Sequence, residues 1–183
     1  MTYHSGNNLI DPMQLLDKAQ VHEGMHIADL GCGRTGHVVF PGSKVVGERG
    51  IVYAVDILKD VLENIDRRAA MQAIHNVHTV WADIEHPASL SIAPKTLNVA
   101  FLINLLYHFD DYDTALAEAA RVLTEKSRMV IVDWQKKLAN LGPQDTQLVD
   151  FDRVISWGRN NGFVIQEDFS AGGHHRGVVL YRH

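Results

Sequence analysis

One cysteine, Cys32, is all that 183 residues contain, so no intrachain disulfide can form. That matches a reducing, cytoplasmic setting. No run approaches the roughly 18 apolar residues of a membrane helix. The opening segment, Met1-Thr-Tyr-His-Ser-Gly-Asn-Asn8, has neither a basic nor an apolar region, so no signal peptide is expected. Cations are in deficit: 17 Lys and Arg face 22 Asp and Glu, a net charge of −5, which argues against a duplex nucleic acid as partner. Repeats, low-complexity tracts and internal composition shifts are missing, so a single domain spanning 1–183 is expected. Hydrophobic content of 46% and charged content of 21% are ordinary for a globular chain. The eleven histidines are scattered rather than clustered in a tag.

What the chain does contain is a glycine-rich turn. Met25 to Gly36 reads Met-His-Ile-Ala-Asp-Leu-Gly-Cys-Gly-Arg-Thr-Gly. The apolar run His26–Leu30, holding Asp29, predicts a strand. Gly31, Gly33 and Gly36 then follow as G-x-G-x-x-G ahead of a predicted helix. Glycine permits the tight turn and leaves no Cβ between main chain and ligand, and the next helix offers free N–H groups. A second apolar run, Gly50-Ile-Val-Tyr-Ala-Val-Asp56, ends on an acid twenty residues past Gly36. A carboxylate at that strand tip can accept ribose hydroxyls. Together these predict a nucleoside-containing cofactor. Asp29 narrows the choice, because a carboxylate beside the loop repels a pyrophosphate and favours a cation. S-adenosylmethionine has no phosphate and carries a sulfonium and an ammonium.

Ile27-Ala-Asp-Leu-Gly-Cys-Gly33 closely resembles motif I of the class I S-adenosylmethionine-dependent methyltransferases. The resemblance extends along almost the whole chain. It implies that Asp29, Gly31, Cys32, Gly33 and Gly36 surround the cofactor. It implies ribose contacts from Asp56, with Ile57 under the adenine. Asp83, with Ile84 beside it, would meet the adenine amino edge. Leu97-Asn-Val-Ala-Phe-Leu-Ile-Asn-Leu-Leu-Tyr-His-Phe109 resembles motif IV and its continuation, with Asn98 where the family often has an acid. Asn104 at that strand's tip would bond the methionine end. The Asn/Asp-Pro-Pro-Tyr/Phe signature of DNA amino-methyltransferases is missing, and one cysteine excludes an arsenite-type enzyme.

The order of elements predicts an α/β fold. A short helix capped by Asp11 with Pro12 at its first position lies in an N-terminal cap segment, 1–24. The remainder, 25–183, alternates strands and helices: strands near 26–30, 51–55, 77–81, 97–102 and 128–133, helices near 37–47, 58–74, 110–123 and 148–160. Asp110 or Asp111 is the expected cap of the third of these helices. Two last strands, Gly162–Phe169 and Gly177–Arg182, form a hairpin. The result is a doubly wound, Rossmann-like sheet of seven strands, mostly parallel with an antiparallel C-terminal hairpin strand. Gln135 to Asp145 reads as a polar, substrate-facing connector.

Chemistry beyond the cofactor is less constrained. His108 is either a general base or a residue packing on the next helix. Asp133, ending the fifth strand, either helps remove a proton or caps the connector. Tyr107 and His175 are candidate substrate contacts. His174 and His175 are adjacent, so their side chains point oppositely in an extended segment, and no metal site is expected. A small-molecule acceptor, with S-adenosylhomocysteine as product, is the favoured activity. A protein or RNA methyltransferase, an NAD(P)-dependent oxidoreductase and a non-catalytic cofactor binder are alternatives. The minimal domain leaves its pocket to be closed by the N-terminal segment, the connector or a second subunit in a homodimer.

Overall fold

The computed structural model describes residues 10–137 and 142–183. The expected loose lead at 1–8 and the centre of the 135–145 connector, 138–141, lie outside those residues. Helix α1 spans Pro12–Lys18, with the Asp11 carboxylate accepting the Met13 N–H at 2.9 Å and Pro12 opening the first turn. Strand β1 (His26–Leu30), helix α2 (Val39–Val46), strand β2 (Ile51–Asp56), helix α3 (Lys59–Met71) and strand β3 (Val77–Trp81) follow. Pro41 sits in the first turn of α2, where its missing N–H costs least. Strand β4 (Leu97–Ile103), helix α4 (Asp113–Val122), strand β5 (Leu123–Trp134), helix α5 (Phe151–Asn160) and strands β6 (Phe163–Ser170) and β7 (His175–Arg182) complete the chain.

The seven strands pair in the order β3-β2-β1-β4-β5-β7-β6. All neighbours are parallel except β5–β7 and β6–β7. Winding reverses between β1 and β4, so the crevice beyond their carboxyl ends is the switch point where such sheets hold ligands. Most side chains of β1 and β4 are apolar and buried because helices cover both faces. One face packs Leu15, Leu16, Phe40, Ile65 and their neighbours from α1, α2 and α3. The other packs Leu116, Ala119, Phe151 and Val154 from α4 and α5. Among the described residues no helix is long and apolar enough to cross a membrane.

Three boundaries depart from expectation. Helix α4 starts at Asp113 with Tyr112 in the cap position and no side-chain cap; Asp111 instead accepts the Asp113 N–H at 3.2 Å, turning the chain just before the helix. Strand β5 starts at Leu123, directly after α4, because Leu123 already pairs with Leu97 ahead of a register shift. The polar kink near Ser127, whose hydroxyl bonds the Thr124 carbonyl, hides that continuity in sequence. Helix α5 starts at Phe151, where Asp150 accepts from Asp152 and Arg153.

No helix joins β3 to β4. Glu118 of α4 accepts the Ala88 and Leu90 N–H groups at 3.1 and 2.9 Å, and Arg121 donates to the Leu90 carbonyl at 3.0 Å. This pair pins the connection and drives Leu90 and Ile92 into the core. Asn98, standing where an acid was expected, accepts the His26 N–H at 2.9 Å and so belongs to the sheet.

Candidate active site

Glycines and one acid build the floor of the site. The Gly31 and Cys32 N–H groups donate to the Val55 carbonyl at 2.8 and 2.9 Å, binding the loop to the end of β2. Gly33 N–H donates to Asp56 Oδ2 at 3.0 Å, while Leu58 N–H donates to Asp56 Oδ1 at 3.0 Å. Gly33 has φ +61 and open space where a Cβ would stand, so its backbone faces the cavity bare. Gly36 is buried and faces Ile65 and Phe40 instead. The Asp56 carboxylate thus does what a loop staple and a helix-entry acceptor both do, and still has lone pairs to offer.

A cavity of about 480 Å³ opens above this floor. Of the residues singled out in the sequence, Gly31, Gly33, Asp56, Ile57, Asp83, Ile84, Asn104 and His108 line it. Asp83 holds the Glu85 N–H at 3.1 Å and pairs with the exposed His86 at 3.1 Å, leaving its carboxylate at the rim. Asn104 sits at φ +51, an uncommon conformation for a non-glycine residue, and its buried Oδ1 has no hydrogen-bond partner. An orphaned buried acceptor beside a ligand cavity matches a donor brought by the ligand, such as an ammonium group. Val55, Leu58, Ala82, Glu85, Leu105 and Phe109 also line the cavity and were not foreseen. Leu58 and Phe109 carried a signal, since each adjoins a residue already placed at a strand tip.

Asp29, Cys32, Gly36, Tyr107, Asp133 and His175 do not line the cavity. Asp29 lies one layer below, beside Ala54 of β2 and 3% exposed. Burial pushes its pKa up to about 7, opposed by the Val38 N–H and reinforced by Asp56. Cys32 points into the core, where burial and the charges of Asp29 and Asp56 keep the thiol protonated. Asp133 is fully buried, with Oδ2 accepting the N–H groups of Leu105, Leu106 and Tyr107 and Oδ1 that of Trp134. Burial raises it to about 6 against those four bonds. The carboxylate anchors the loop after β4, the capping alternative moved from the connector to that loop. Tyr107 packs its ring 3.9 Å from that of His108, at whose ring partial burial lowers the pKa. His175 is buried against Trp134, ring centroids 4.2 Å apart. The described part of the N-terminal segment packs α1 on α2 and contributes nothing to the cavity wall.

The family model described as a methyltransferase domain matches residues 21–161. The chain belongs to the class I S-adenosylmethionine-dependent methyltransferases. The chain shares 28% identity over 130 residues with aklanonic acid methyltransferase of Streptomyces sp. (strain C5), covering 68% of this chain and 56% of that one. It shares 30% over 124 residues with a ubiquinone/menaquinone biosynthesis C-methyltransferase of Haemophilus ducreyi, covering 67% and 46%. The chain therefore spans about half the length of the curated relatives it matches. A crystal structure of a SAM dependent methyltransferase from Aquifex aeolicus superposes with a TM-score of 0.85 at 22% identity, covering 97% of this chain and 93% of that one. That likeness is one of fold, over nearly the whole of both chains. The cofactor of the methyltransferase family is S-adenosylmethionine, and the bare Gly33 backbone, the rim carboxylates and the unpartnered Asn104 amide fit it.

Proposed function

We propose that the protein transfers the methyl group of S-adenosylmethionine to a small-molecule acceptor, leaving S-adenosylhomocysteine. One observation carries this reading: Gly33, Asp56, Asp83 and Asn104, from four segments, converge on a single cavity at the switch point of the sheet. The bound cofactor supplies a methyl group on a sulfonium, already an excellent leaving group. The chain's task is to align the nucleophile in line and keep water out.

In this reading Asp56 accepts the ribose hydroxyls with the lone pairs that Gly33 and Leu58 leave free. Ile57 lies against the adenine, and Asp83 with Ile84 meets its amino edge. The Asn104 amide oxygen accepts from the ammonium group. Asp29 lends negative charge from beneath the loop. His108, on the cavity wall and with partial burial favouring its neutral imidazole, takes an acceptor proton in this reading.

The net charge of −5 and the named relatives, which act on aklanonic acid and in quinone biosynthesis, favour a small molecule over RNA or protein. A cytoplasmic setting suits the lone buried thiol. Calorimetry with S-adenosylhomocysteine and with NAD is the first test, followed by transfer of a labelled methyl group to a panel of small molecules, peptides and RNA. Binding of NAD in preference to S-adenosylhomocysteine would overturn the reading. Label appearing only on peptide or RNA would replace the acceptor class.

A further inference from the structure

Helix α3 carries Asp60, Asn64 and Arg68 at four-residue spacing. That spacing stacks them along one stripe, which on a surface helix ordinarily serves only solvation. Here all three reach the glycine loop. Asp60 pairs with the Arg34 side chain, Asn64 Nδ2 donates to the Arg34 carbonyl at 2.8 Å, and Arg68 Nη1 donates to the Thr35 carbonyl at 2.6 Å. Successive turns of the helix thus meet successive groups of the loop.

Apolar contacts close the same junction. The Arg68 guanidinium lies 3.8 Å from the centre of the Phe40 ring. A Cβ at Gly36 would stand 2.8 Å from both Ile65 Cδ1 of α3 and Phe40 Cε2 of α2. The two helices therefore meet the loop with no room to spare.

This grip acts on the back of a turn whose front faces the cavity. Gly31 and Gly33 line the cavity, whereas Arg34 and Thr35 are exposed and do not. A peptide unit is planar and trans, so holding the Arg34 carbonyl also orients the Thr35 N–H, and holding the Thr35 carbonyl orients the Gly36 N–H. The Gly36 N–H in turn donates to the Gly33 carbonyl at 3.2 Å. Gly33 presents its own N–H to Asp56 Oδ2, and Asp56 Oδ1 takes the Leu58 N–H just before α3 begins. One helix thus follows directly from the carboxylate of the site and clamps the glycine loop along its next turns. Its rigidity fixes the spacing between them.

The three contacts differ in weight. The Arg34–Asp60 pair is 64% and 56% exposed at its side chains, so it adds little. Arg68 makes a charge-assisted bond from a guanidinium already stacked on Phe40. Asn64 is half-buried, and its amide holds the neighbouring peptide.

We propose that Asn64 and Arg68 are positioning residues of the cofactor site, holding the glycine loop in the shape that accepts S-adenosylmethionine without touching the ligand. This rests on the methyltransferase reading and extends it to a helix face that lines no part of the cavity.

The test combines Asn64→Leu with Arg68→Met, which remove the donors, keep bulk and leave helix propensity as good or better. S-adenosylhomocysteine is titrated calorimetrically, beside hydrogen exchange of residues 33–36 in the ligand-free protein and urea unfolding. The double variant should bind about tenfold more weakly, and its loop amides should exchange about tenfold faster, with little change in the unfolding midpoint. S-adenosylmethionine should lose the same factor, although removal of the Arg68 charge by itself favours a cationic ligand. Arg68→Lys, which still donates, should recover part of the affinity. Arg67→Met, which removes an exposed cation from the same helix, should leave affinity unchanged. An unchanged Kd in the double variant, an equal loss in Arg67→Met, or a loss matched by an equally large fall in unfolding stability overturns the proposal. Failure of S-adenosylhomocysteine to bind the wild type would instead remove the methyltransferase reading, and the amide exchange would still test the clamp.

Discussion

Asp56 Oδ2 accepts the backbone N–H of Gly33 at 3.0 Å, tying the tip of β2 to the glycine loop after β1. The same carboxylate faces the cavity. Replacing it therefore removes a loop staple and a ligand contact together. Asp56→Ala is expected to weaken S-adenosylhomocysteine at least tenfold, about 1.4 kcal/mol, as loss of a charge-assisted bond implies. Asp56→Asn should retain part of the affinity by keeping one acceptor. Calorimetry on both variants checks this, and an unchanged Kd in Asp56→Ala would place the ribose elsewhere.

Asp133 predicts a stability effect more than a chemical one. Asp133→Asn keeps a single acceptor oxygen where three N–H groups converge on Oδ2 and a fourth on Oδ1. The expected loss is about 1–3 kcal/mol in urea unfolding, since buried donors are left unsatisfied. Cofactor affinity should fall as well, because the freed loop carries Leu105 of the cavity wall. If Asp133→Asn instead unfolds like the wild type and loses only turnover, the residue is a proton acceptor.

His175 sets an acid limit on stability. Burial, followed by the neighbouring His174, lowers its pKa to about 4 from 6.5. The unfolded chain takes up a proton below 6.5 that the folded chain refuses until about 4, so stability falls as pH drops through that window. Each pH step of one across the window costs about 1.4 kcal/mol, which makes the loss on the order of 3 kcal/mol by pH 4. Denaturant curves at pH 7 and pH 5 should diverge more in the wild type than in His175→Phe. Equal divergence in both would assign the acid sensitivity to other groups.

Asp29 works in the opposite direction. Its pKa is raised to about 7, so the protonated form stabilises the fold below 3.8 and that contribution is lost as pH rises through 7. A cationic cofactor above the carboxylate favours the charged form. S-adenosylmethionine should therefore bind more tightly at pH 8 than at pH 6, releasing a proton as it does. Asp29→Asn should flatten that slope, weaken binding at pH 8 by about tenfold, and raise the stability of the ligand-free protein there. Calorimetry in buffers of different ionisation enthalpy reads the proton directly; no proton release would separate Asp29 from the cofactor.

Much of this was legible in the residues because it is local. The apolar runs of β1 and β4, the three glycines and the acids closing β2 and following β3 each announce themselves within a few positions. What stayed hidden is held by distant partners. Leu105 becomes cavity wall only because Asp133, 28 positions away, grips its N–H. The β3–β4 connection is shaped by Glu118, 30 positions from Ala88. No hydrophobic period encodes such contacts. The inward turn of Cys32 is set in the same way: the Val55 carbonyl draws its N–H and leaves the side chain buried between two glycines.

At Gly31 a Cβ would lie 2.7 Å from Leu105 Cδ1, so the leucine occupies the very space that glycine vacates. Since Leu105 hangs from Asp133, the end of β5 dictates how far the loop after β1 can lean. The loop after β1 and the end of β5 are thus interlocked across the middle of the sheet. Any sequence that remodels one of these flanks must retune the other.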